Sequence, residues 1–242
     1  MAKARLIPKL QLFPSSFDPG ALSIVNTVNF NKVIEIGNPV SQAKIYEAQL
    51  VDELILLDLS PSKGQAESDS KRLLDTLRSV AREVFLPLTI GGGVRRIEDV
   101  AELLANGADK VAINSKAIER PAFITEVSKA FGSQCTVISI DYKRNSKGDL
   151  EVFGYGGRRP TGLDPIQWSK EAASLGAGEV LLTCIDNDGV RGGLDTATAK
   201  SVADGLKIPL ILSGGCGLAS HFVDGYIVGG ADAIAAGTFF SF

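Results

Sequence analysis

The chain contains one long internal repeat. PLTIGGGV followed by GADKVAINS in the first half returns as PLILSGGCG followed by GADAIAAGT in the second. Gly107 and Gly230 open the two Gly-Ala-Asp triplets, about half of the 242-residue chain apart. DELILLDLS is matched in the same way by GEVLLTCID. A solenoid repeats a short unit many times, so a single long-period repeat predicts two similar halves joined into one structure.

Within each half, short apolar runs alternate with amphipathic stretches. Strand-like runs cover residues 5–12, 53–59, 86–90, 110–114, 136–141, 179–185, 210–213 and 233–237. Several are continuous aliphatic segments, the pattern of parallel strands covered on both faces. Helix-like segments at 67–84, 97–106, 121–131 and 165–175 lie between them, most with a glycine near the end. Eight strands with interleaved helices predict an α/β fold, a (β/α)8 TIM barrel built from two half-barrels, with residues 1–242 as one domain. The eighth run ends so close to Phe242 that the last helix is expected to be missing.

A net charge of -3 with scattered Lys and Arg argues against nucleic-acid and membrane-surface roles, which need a concentrated basic face. Cys135, Cys184 and Cys216 form no zinc or disulfide pattern, and no cofactor or metal motif stands out. Free cysteines and apolar runs too short for a signal peptide predict a cytoplasmic protein.

Barrel active sites lie at the C-terminal ends of the strands. Two glycine clusters fall there at matched places in the repeat. Gly91, Gly92 and Gly93 pair with Asn114 and Ser115, and Ser213, Gly214 and Gly215 pair with Gly237 and Thr238. Glycine lets backbone N–H groups approach an anion, and small polar side chains add donors. Two such clusters predict a ligand with a phosphate at each end, although each could be only a tight turn. Asp141 ends the fifth strand run, and Asp186 and Asp188 follow the sixth. Carboxylates in a mouth built for anions suit proton transfer, with helix capping as the plainer alternative. Asp58, followed by Ser60 and Pro61, reads equally well as part of a turn. His221 is expected to be an ordinary helix residue, and without a Ser or Cys nucleophile signature no hydrolytic triad is indicated.

Taken together, DELILLDLS, GGG, GADKVAINS, FGSQ, IDYKR, GAGEVLLTCIDNDG, SGG and GADAIAAG resemble the cyclase subunit of imidazole glycerol phosphate synthase, in order and spacing, from about Arg5 to the end. The resemblance implies a heterodimer in which a glutaminase subunit docks on the N-terminal face of the barrel. Ammonia then crosses the core to a bisphosphate, phosphoribulosyl-formimino aminoimidazole carboxamide ribonucleotide. It also implies an ammonia gate at Arg5, Glu53, Lys110 and Glu179, and a partner-docking role for Asp109. Of the family's two catalytic aspartates one is present as Asp188. The other falls at Gln11, which cannot exchange a proton usefully near neutral pH. Asn26 stands where the family has an active-site Lys, Lys9 where it has a small residue, and Gly154 and Gly156 where hydroxyl residues are usual. Asp18, in the loop FPSSFDPG, is a remote substitute for the missing acid. These departures point to a divergent paralogue that passes ammonia to a phosphorylated or sugar substrate, with a downstream amidotransferase as a further partner. A working cyclase, a non-catalytic glutaminase scaffold and a related phosphosugar isomerase are the alternatives.

Overall fold

The computed structural model describes residues 4–18, 20–60 and 66–240. In chain order the elements are β1 (Arg5–Pro14), β2 (Leu22–Val28), β3 (Lys32–Gly37), α1 (Pro39–Ala48), β4 (Leu54–Asp58), α2 (Ala66–Ala81), β5 (Leu88–Gly91) and α3 (Ile97–Ala105). They continue with β6 (Lys110–Ile113), α4 (Ser115–Glu119), α5 (Ala122–Phe131), β7 (Thr136–Arg144), β8 (Leu150–Gly154), β9 (Arg159–Pro160) and α6 (Pro165–Ser174). The last are β10 (Glu179–Cys184), α7 (Thr196–Ala203), β11 (Leu210–Ser213), α8 (Ala219–Ile227) and β12 (Ala233–Ala236).

Eight strands pair in parallel in the order β1, β4, β5, β6, β7, β10, β11, β12, and β12 returns to β1 through Arg5↔Ala233. The eight strand runs expected from the sequence are these eight. Alternation along each strand divides the core into two layers. Leu10, Leu12, Leu54 and Leu56 face the helices, while Ile7, Ile55, Ala112, Val137, Leu181, Ile211, Ala233 and Ala235 fill the barrel interior. On β1 this alternation sends Lys9 and Gln11 inward as well, and both are buried.

The aspartates of the repeated triplets have a structural use. Asp109 Oδ2 accepts the backbone N–H of Leu88 at 2.8 Å, and Asp232 Oδ2 that of Leu210 at 2.9 Å. Asp52 Oδ2 does the same for Leu6 at 2.8 Å. Each clasps the start of the neighbouring strand, where no strand partner satisfies the N–H.

Some boundaries depart from the sequence reading. β1 continues to Pro14 and β7 to Arg144, because both carry antiparallel extensions above the barrel. The β2–β3 hairpin was not expected, and the Ser23, Ile24 and Val25 region of it pairs with β1. Pro61, read as part of a turn after Asp58, lies outside the described residues, whereas Ser60 donates from N and Oγ to Asp58 Oδ1. Beyond β12 no α-helix follows among the described residues; Thr238–Phe240 form a single 3-10 turn. Phe239 and Phe240 stack edge-on against Phe222, and Phe240 also against Tyr46.

Candidate active site at the barrel mouth

At the C-terminal end of the barrel, inward-facing polar groups converge from several strands. Asp188 is 7% exposed, Gln11 6% and Lys9 3%. Lys9 Nζ lies 3.7 Å from Asp188 Oδ1. Thr27 Oγ1 lies 2.7 Å from Asp188 Oδ2 and 2.9 Å from Gln11 Oε1. A hydroxyl has one proton, and the charged acceptor claims it. Both contacts are therefore satisfied only with the Gln11 amide turned so that its nitrogen donates to Thr27. Thr27→Val is expected to lower stability by about 1–3 kcal/mol, since it strips a buried carboxylate of a donor. The shift of the denaturant midpoint measures it.

Asp141 ends the barrel portion of β7 and is paired in register with Thr183. Burial pushes its carboxyl up to about 7; the Lys9 cation opposes this, the Asp188 charge adds to it, and a bond from Thr183 opposes it. The residue as a whole is half-buried, while its carboxyl is closely surrounded. Asn114 Nδ2 lies 3.2 Å from Asp141 Oδ2 and 3.1 Å from the Ser139 carbonyl. The third carboxylate does not join them, because Asp186 Oδ2 accepts the N–H of Arg144. His221 is on α8, where Nδ1 accepts the N–H of Gly217. Asp18 is exposed and closes its own loop by accepting from Gly20.

The hairpin β2–β3 covers the mouth. Asn29, in a left-handed conformation at its tip, donates from Nδ2 to the carbonyls of Ile185 and Asp186, and from N to the carbonyl of Asp188. Gly189 fits under this hairpin only without a side chain: its φ is +75° and a Cβ would stand 2.0 Å from the Thr27 carbonyl. Gly189→Ala is expected to unseat the hairpin and loosen Asp188, read as faster hydrogen exchange at Asn29.

The two glycine clusters are built alike. Gly92, at φ +117°, packs so that a Cβ would meet the Asp58 carbonyl at 2.5 Å; Gly214, at φ +94°, would meet that of Cys184 at 2.4 Å. Gly93 has open space above it, whereas a Cβ on Gly215 would strike Gly193. Gly237 lies against the backbone of Lys9. Two polar side chains of the first cluster are already engaged, whereas Ser213 Oγ in the second is buried without a hydrogen-bond partner among the described residues. Asn114 faces Asp141, Ser115 Oγ accepts the N–H of Tyr155, and the Thr238 carbonyl accepts from Arg191.

At the opposite end of the barrel, four charges form a closed ring. Arg5 Nη1 is 2.5 Å from Glu53 and 2.8 Å from Glu179, and Lys110 Nζ is 3.0 Å from Glu53 and 3.1 Å from Glu179. Burial would pull the Arg5 guanidinium down, but the bond to Glu53 and the two carboxylate charges more than reverse it. A cavity of about 430 Å³ lies outside the barrel, lined by Tyr142, Arg144, Asp186, Asn187 and Asp195 among others, and does not contain the converging aspartate pair.

The model of the histidine biosynthesis protein family matches residues 17–242. The chain belongs to this family. It is 49% identical over 244 residues to a protein of Prochlorococcus marinus (strain MIT 9313) named "Putative imidazole glycerol phosphate synthase subunit hisF2", covering all of this chain and 91% of that one. Within the family it is a cyclase-subunit-like barrel. Two residues at the mouth were not put there by the sequence reading: Lys9 was noted only as a departure from the family pattern, and Thr27 was missed. The signal for Thr27 was the run LSIVNTV before Asn29 and Asn31, an apolar strand leading into a turn.

Proposed function

We propose that this chain is one barrel domain, the ammonia-accepting subunit of a cytoplasmic glutamine amidotransferase complex, acting on a phosphorylated or sugar substrate with chemistry altered from that of a cyclase. The closed ring of Arg5, Glu53, Lys110 and Glu179 carries the reading. A buried charge without a partner is costly, so a neutral ring of two cations and two carboxylates can stand across the entrance of the barrel interior without leaving one unpaired. Neutral ammonia can pass such a ring more easily than an ion. Exposed Leu50, Phe85 and Ile227, in or beside the loops at the same end, support docking of a glutaminase there. Asp109, engaged with Leu88 through one oxygen, is at the same rim and keeps the docking role assigned by resemblance.

At the mouth, Asp188 is the base and Asp141 the acid, with Gln11 a hydrogen-bonding group where the family has a second acid. Gly92, Gly93, Gly214, Gly215 and Gly237 are the backbone donors for phosphate, with Ser115 and Thr238 beside them. Asn114 belongs with Asp141 more than with phosphate. General acid–base help is worth roughly 10²–10⁴-fold, so losing one acid is a large change.

The test is turnover of the family's bisphosphate with ammonium salt at mildly alkaline pH, for the native chain and Gln11→Asp. We expect none from either, because Lys9 and Gln11 together have rebuilt the site for another substrate. Turnover by the native chain would restore the working-cyclase reading, which the convergence of Asp141 and Asp188 favours. Rescue by Gln11→Asp alone would mean that only the acid was lost. The gate is tested separately: if Lys110→Ala, paired with the glutaminase, couples glutamine hydrolysis to ammonia use as well as the native chain, the gate is wrong.

A further inference from the structure

We propose that Lys9 is a nucleophilic amine that forms an imine with the carbonyl carbon of a phosphorylated carbonyl compound at the barrel mouth. This goes beyond the ammonia reading; it rests on the phosphate sites and the aspartate pair proposed above, and not on the gate.

The geometry begins with the strand. Lys9 lies on β1, and its Nζ comes within 3.7 Å of Asp188, in the loop after β10. In the barrel order β10 is three strands from β1, so the side chain crosses the interior to reach it. It also interacts with the charge of Asp141 on β7, which lies directly opposite β1 in the ring of eight. The side chain is 2% exposed. An interior lysine is a poor choice for stability alone, since an apolar residue of similar size costs less to bury. Lysine differs from such a residue in carrying an amine that can add to a carbonyl.

The surroundings supply what that reaction needs. Asp188 is placed to accept a proton from the ammonium and free the amine. The amine attacks the carbonyl carbon to give a carbinolamine, with the oxygen taking a proton from Asp141. The nitrogen passes its second proton to the Asp141 carboxylate, which gives it to the hydroxyl as water leaves and the iminium forms; the proton held by Asp188 then restores Asp141. In sum, ammonium and carbonyl give iminium and water, and no oxidant, reductant or net proton is required. Asp141, with its carboxyl at about 7, can both give and take a proton near neutral pH. The hairpin held by Asn29 covers the site, and exclusion of water protects an imine from hydrolysis. The glycine turns at Gly92 and Gly214 flank the same mouth, which selects carbonyl compounds that carry phosphate.

The experiment is borohydride trapping with the intact native chain, using dihydroxyacetone phosphate and ribulose 5-phosphate as probes and mass spectrometry as readout. We expect one reduced sugar-phosphate adduct per chain, mapped to the peptide carrying Lys9. Lys9→Met and Lys9→Arg, checked for folding by circular dichroism, should lose that adduct. Asp141→Asn should trap it at least about tenfold more slowly. Unphosphorylated dihydroxyacetone should label Lys9 far less, and equal labelling would overturn the phosphate requirement. Absence of adduct on Lys9 in the native chain, or adducts confined to other lysines, would overturn the proposal and leave Lys9 as a fixed counter-ion of Asp188. Because no ammonia, glutaminase or turnover enters the experiment, its outcome is independent of the gate.

Discussion

Glu179→Ala is expected to destabilise the chain by about 3–5 kcal/mol, the cost typical of breaking a buried ion pair from one side. Each carboxylate of the ring serves both cations, so removing Glu179 leaves Arg5 and Lys110 to share Glu53. The side chains are 8% and 11% exposed for the glutamates and 19% and 16% for Arg5 and Lys110, which puts the effect toward the lower end of that range. The ring joins the starts of β1, β4, β6 and β10, four of the eight barrel strands, so its loss should be felt in the global transition. Denaturant unfolding should show a lower midpoint with an unchanged slope. Replacing all four residues by apolar ones of similar volume should restore most of the stability, because no uncompensated charge remains. That contrast matters for function. If the quadruple replacement is stable yet uncouples glutamine hydrolysis from ammonia use, the ring is kept for passage and not for folding. A Glu179→Ala chain as stable as the native one would mean that water already solvates the ring.

The barrel was legible because its signal is carried by many residues at once. Continuous runs such as LILL in β4 and VLLT in β10 suit strands buried on both faces, eight such runs gave the count, and the repeat supported it. The ring was named through the family resemblance, and each of its members does begin or directly precede a strand. The mouth was less legible. Asp141 and Asp186 look alike in sequence, both just past an apolar run, but alternation sends Asp141 inward while Asp186 turns to the N–H of Arg144. Lys9 could be placed inward by the same alternation. Its reach to Asp188 depends on the loop after β10, whose path no local pattern determines. Thr27 was hidden for a similar reason, because the hairpin that carries it is held over the mouth by Asn29, a contact between residues far apart in the chain. The repeated Gly-Ala-Asp was visible as a motif, but its use as a strand clasp appears only in the hydrogen bonds of Asp109 and Asp232.

Asp141→Asn is expected to remove a pH dependence from the stability of the chain. In the folded state the Asp141 carboxyl is held at about 7, chiefly by burial, against an ordinary value of 3.8. Between these two values the native state binds the proton that the unfolded state has released. Stability therefore falls as pH rises from about 4 to about 7 and is level above that, a change on the order of 2–4 kcal/mol from this one group. Asparagine has no proton to lose and can still accept from Asn114. The variant should accordingly gain on the native chain as pH rises, with little advantage at pH 4.5 and the largest at pH 8. Denaturant midpoints at pH 4.5, 6 and 8 would decide it, and parallel curves for the two chains would rule out a perturbed Asp141. The neighbours give a sharper check. Lys9 lowers this carboxyl and Asp188 raises it, so Lys9→Met should move the window to higher pH and Asp188→Asn to lower. Opposite shifts from two residues on different elements would establish the three as one coupled group. A single coupled group is what proton exchange between an acid and a base requires at this mouth.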